Sequence, residues 1–132
     1  MKTMQTVLLA GLLALTLACG YTSKGTTPPV AGAIPAITAL VPNNTNAGGS
    51  DMLLTVNGDT FNVDAMINWN GTALATTYVT AGQLTATVPA ADIATAGSAA
   101  VTVTNPGHAG GGIYGSGGTT AETSGPMTFT IN

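Results

Sequence analysis

The sequence contains no arginine, and Lys2, Lys24 and the single His108 are its only basic side chains. Charged residues make up 5% of its 132 positions, against roughly 25% in an average soluble protein. A chain so poor in cations cannot neutralise a row of phosphates. The expectation is therefore no nucleic-acid partner and no electrostatic docking to anionic lipid. Its acids are Asp51, Asp59, Asp64, Asp92 and Glu122. One cysteine excludes an internal disulfide. One histidine, with no second His or spare Cys beside it, leaves no ordinary zinc site. No apolar run approaches the roughly 20 residues that a membrane-spanning helix needs. In place of charge stand Thr, Ala, Gly and Asn, of which Thr is well suited to strands. The length allows one domain.

The first 18 residues read as an export leader. Lys2 gives a positive start, and "VLLAGLLALTLA", Val7 to Ala18, has the length of a signal core and is too short to span a bilayer. The small residue Ala18 then precedes Cys19. This junction resembles the lipobox of bacterial lipoproteins, with Ala18 and Cys19 matching it closely and Thr16 and Leu17 fitting its permissive form. The resemblance implies that the Cys19 thiol carries diacylglycerol and that the leader is cut before it. A thiol suits that chemistry because it is a strong nucleophile. Two or three acyl chains hold firmly where one binds marginally, at about 0.8 kcal/mol per buried methylene. Gly20 stands where an Asp would favour inner-membrane retention, so the expected address is the outer membrane or cell surface. Residues 19–34, rich in Gly, Ser, Thr and Pro, read as a flexible tether.

From Pro35 to Asn132 the hydrophobic period is two. Leu54 and Val56 share a face with Met52; Leu84, Ala86 and Val88 alternate with Thr85 and Thr87. Ala99, Val101 and Val103 alternate with Thr102 and Thr104, and Met127, Phe129 and Ile131 with Thr128 and Thr130. Apolar-in, threonine-out alternation marks antiparallel sheets with one wet face. "MINWNG" adds a strand with Ile67 and Trp69 inward, closed by an Asn70-Gly71 turn. "AITALVP" predicts a bulged edge strand ending at Pro42. "AADIATAG" predicts one helical turn capped by Gly97. About seven short antiparallel strands in some hundred residues predict an all-β, immunoglobulin-like sandwich.

The words "PAITALVP", "GG" at 48–49, "VNG" at 56–58, Phe61, "WNG", "QLTATVPA", "VTVTNPG" and "MTFTI" stand in an order that resembles the IPT/TIG family across residues 35–132. These are immunoglobulin-like, early-set domains of bacterial surface proteins, plexins and some transcription factors. The resemblance implies a spacer, adhesion or interaction module rather than an enzyme. The basic loops of the family's DNA-binding members are missing. The segment "HAGGGIYGSGGTTAETSG", His108 to Gly125, is longer than the hairpin expected there.

No constellation of catalytic residues stands out. Gly110, Gly112 and Gly115 match G-x-G-x-x-G, but no helix can open at the third glycine to hold a pyrophosphate, so the stretch reads as a loop. No G-x-S-x-G or other nucleophile setting occurs. Asp59, Asn62 and Asp64 in "GDTFNVD" are weak candidates for a calcium site, without the calcium-loop pattern or its final Glu; Asx turns in a connecting loop account for them as well. Tyr78, Tyr114 and His108 are the residues expected on a binding surface. The functional expectation is a noncatalytic, lipid-anchored envelope module without a cofactor, serving a structural role or one of adhesion or interaction with an envelope or extracellular protein. The alternative is a carbohydrate-binding module that presents its aromatics to a polysaccharide.

Overall fold

A computed structural model describes residues 30–110 and 117–132. Its strands, in chain order, are β1 (Ala36–Val41), β2 (Asn44–Thr45), β3 (Met52–Asp59), β4 (Met66–Trp69), β5 (Thr72–Ala73), β6 (Thr76–Thr80), β7 (Gln83–Val88), β8 (Gly97–Asn105), β9 (Glu122–Thr123) and β10 (Met127–Ile131). Seven of them, β1, β3, β4, β6, β7, β8 and β10, have four residues or more, in line with the expectation of about seven; β6 is the one that no sequence pattern places.

They form two sheets. One runs β1-β3-β7-β6; the other runs β2-β10-β8-β4-β5, with β9 continuing alongside β8. All pairings are antiparallel except the short β2–β10 contact. The register explains the alternation. Leu54 opposes Ala86 and Val56 opposes Leu84 in the first sheet, while Ile67 opposes Val103 and Trp69 opposes Val101 in the second. These inward residues, joined by Phe61, Ile93, Phe129 and Ile131, make one core between the sheets. The arrangement is a β-sandwich.

Local signals hold at the turns. Asn70 and Gly71 both have positive φ, 50° and 86°, as a two-residue hairpin turn between β4 and β5 requires. The Asn70 side chain locks the turn by accepting from the Ala100 amide at 2.8 Å. β1 lies at a sheet edge and carries the expected bulge, between Ile37 and Ala39. Its Leu40 is buried while Val41 is exposed. The helical segment is a single 3-10 turn, Ala90–Ile93, that drops Ile93 into the core. Gly97 does not cap it. The turn ends at Ala94, and Gly97 opens β8 opposite Ile131. Trp69 is also nearer a sheet edge than the middle, because the strand outside β4 is only the two-residue β5.

Chain direction sorts the loops by end. The residues before β1, the β3–β4 loop, the β6–β7 turn and the segment after β8 all meet at one end of the sandwich. At the opposite end lie the β2–β3 connection, the 3-10 turn and the close of β10.

Candidate functional site

The end where the chain enters the sandwich is organised around Asn105, the last residue of β8. The inward period of that strand, Ala99, Val101 and Val103, continues to position 105, so an amide occupies a core position with 1% exposure. Burial of an unpaired amide is costly, and this one is fully used. Its Nδ2 donates to the carbonyls of Ala33 and Thr60, each at 2.8 Å, and its Oδ1 accepts from the Asn62 amide at 3.0 Å. One side chain thus ties β8 to the chain before β1 and to the β3–β4 loop. Thr60, held in this grip, has φ of 66°, a conformation that a β-branched residue adopts only when its surroundings impose it.

The segment after β8 is more than a loop. His108 and Thr119 exchange backbone hydrogen bonds at 3.0 and 2.8 Å. Val30 then lies on Thr119's far side, donating to the Gly118 carbonyl at 2.9 Å and accepting from the Thr120 amide at 3.0 Å. Residues 30–34, within the stretch expected as tether, therefore run along the domain and are bonded to it. Gly107 permits the crossing: a Cβ there would meet the Thr119 carbonyl oxygen at 2.6 Å. β9 returns beside β8, and buried Ser124 closes the segment, accepting from the Val103 amide through Oγ at 2.9 Å.

The structure brings some of the expected residues to this end. Asp64 and His108 meet at 3.3 Å, both substantially exposed. Asp59 closes β3 opposite Ala36, and Asn62 is engaged through its backbone with Asn105. Among the described residues no group of three or more His, Cys, Asp or Glu is placed to hold a metal ion. The Asp64 carboxylate faces an imidazole instead. Tyr78 sits apart on the edge strand β6, exposed and opposite Leu84. Cys19, Tyr114, Gly112 and Gly115 lie outside the described residues. Trp69 is 3% exposed and packs on Phe129, so its indole offers no platform to a sugar.

Asn105 and Ser124 do not stand out in the sequence as site residues. Asn105 does leave a signal, as a polar residue at an inward position of a period-two strand. Ser124 leaves none, because the strand that aligns it, β9, has two residues and no period to read.

The family model described as the IPT/TIG domain matches residues 35–131. No curated protein and no solved structure matches the chain.

Proposed function

The chain belongs to the IPT/TIG domain family, and from that premise we propose that it is a noncatalytic module of a bacterial cell envelope, held by lipid at Cys19 and engaging another envelope or extracellular protein. What supports the reading is the apolar run Val7 to Ala18 standing directly before Cys19, which we read as an export leader over residues 1–18, together with a family domain over residues 35–131. Immunoglobulin-like modules of this family are generally noncatalytic, and on our reading this one binds through loops at one end of the sandwich or by strand addition to an edge. The first sheet has two edges, β1 and β6; β1 is flanked by Pro35 and Pro42, whereas the "TTYVT" of β6 has neither charge nor proline in or beside it to block an added strand. Its exposed Tyr78 and Val79 would contact what docks there.

The anchor is tested with labelled palmitate. The wild-type chain should incorporate label, whereas Cys19→Ala should incorporate none and keep its leader. Equal labelling of the two would remove the anchor from the proposal. Binding at β6 is tested by Tyr78→Pro: the Gly58–Gly82 hydrogen bond sets an alternation in which Tyr78, opposite Leu84, turns its N–H away from β7 and toward an added strand. The substitution should abolish capture of a partner by the envelope-bound protein and leave the fold intact.

A further inference from the structure

Eight large hydrophobic residues are exposed among those described, and four of them, Val30, Ile34, Val63 and Met66, stand at the entry end of the sandwich. Their placement is fixed by backbone and amide contacts. Ile34 follows Ala33, and Val63 follows Asn62; both of those neighbours are held by the same Asn105 amide. Val30 is bonded to Gly118 and Thr120, on either side of the Thr119 that pairs with His108, and His108 meets Asp64, the residue after Val63. Met66 opposes Thr104, one residue before Asn105. Exposure is 61% for Val30, 64% for Ile34 and 74% for Val63, so these side chains are held outward by a braced backbone. Scattered apolar residues on a surface mean nothing, but a group at one end does.

We propose that this end of the domain rests on the surface of the bilayer, with Val30, Ile34, Val63 and Met66 entering the headgroup boundary. The inference rests on the lipid anchor at Cys19 proposed above. Cys19 lies eleven residues before Val30, a stretch that spans at most about 36–40 Å when fully extended. Of the two ends of the sandwich, the chain from the anchor reaches this one first. Charge agrees with the choice of surface. No lysine or arginine occurs from residue 30 onward, while Asp59, Asp64 and Glu122 lie at this end. The contact is therefore apolar, made to zwitterionic lipid, and weakened rather than helped by anionic lipid.

The test uses the full chain produced in a bacterial host, purified in detergent and reconstituted into phosphatidylcholine vesicles that carry bromines on their upper acyl carbons. Two variants place a reporter at exposed sites: Val63→Trp at the entry end, and Leu53→Trp near the start of β3 at the other. Trp69 stays as a buried, constant background. Bromine should quench the added indole of Val63→Trp several-fold more than that of Leu53→Trp. Adding Ile34→Asp and Met66→Asp to Val63→Trp should remove most of that quenching, with unchanged circular dichroism. Equal quenching at both positions, or none at either, overturns the proposal. The mass of the purified protein reports separately on the anchor. If Cys19 carries no lipid, the anchor reading fails. The thiol is then coupled to a maleimide lipid, which returns the domain to the same distance from the bilayer and puts the same two reporters to the same test.

Discussion

Trp69 and Phe129 face each other over β8, their ring centroids 5.1 Å apart and their planes tilted by 55°, a favourable aromatic geometry. Trp69→Ala would leave a void in the core and should cost about 3–5 kcal/mol, a large share of the roughly 5–15 kcal/mol that keeps a domain folded. The wild-type protein should show blue-shifted, poorly quenched emission that moves to the red on unfolding. Red emission from the folded state would show that the strand's faces are reversed. Asn105 and His108 give the contrast at the same scale. Asn105→Ala removes three hydrogen bonds at about 1 kcal/mol each, so chemical denaturation should show a loss of about 3 kcal/mol. His108→Ala removes one exposed side-chain contact with Asp64 and should cost under about 1 kcal/mol. Equal losses would mean that the amide is not the clamp.

Among the elements, β3, β4, β7, β8 and β10 are legible in the sequence because each buries one face, which forces a period of two, whereas the edge strand β6, Thr76–Thr80, buries no residue fully and leaves no such pattern. Ile67 and Trp69, or Leu84, Ala86 and Val88, could be assigned inward from spacing alone. The arms of the segment after β8 were not legible. Their pairing is made by backbone groups of Val30, His108 and Thr119, and backbone bonds leave no hydrophobic pattern. Gly107 is likewise silent in the sequence, although the close approach of the Thr119 carbonyl requires a residue without a Cβ there. This predicts two different deletions. Replacing residues 110–117 with Asn-Gly keeps the His108–Thr119 pair and should leave the melting temperature unchanged. Replacing residues 108–121 with two glycines removes Gly118 and Thr120, the hydrogen-bond partners of Val30. Hydrogen exchange at Val30 should then rise to the rate of a free chain, while the amides of β3, β7 and β8 remain protected. Continued protection at Val30 would show that something else holds it.

Across the whole molecule, stability comes from one apolar core and a network of neutral hydrogen bonds, because the sequence supplies so little charge. The formal net charge is −3 with His108 neutral, and among the described residues the one contact between a carboxylate and a basic side chain is the exposed one of Asp64 with His108. Salt can act on such a protein in few ways. Raising sodium chloride from 0.01 to 1 M shortens the screening length from about 30 to about 3 Å. That weakens one surface attraction and the mutual repulsion of a few distant carboxylates, two small effects of opposite sign. The melting temperature should therefore move by no more than a few degrees, since about 1 kcal/mol corresponds to roughly 4–8 °C in a domain of this size. Sodium sulfate acts differently. It is excluded from protein surface and strengthens apolar burial, so it should raise the melting temperature where chloride does not. Calorimetry in the two salts at matched ionic strength separates the cases. A steep fall in sodium chloride would reveal charge pairing that carries stability. A rise common to both salts would mean that repulsion among the carboxylates outweighs the attraction of Asp64 for His108.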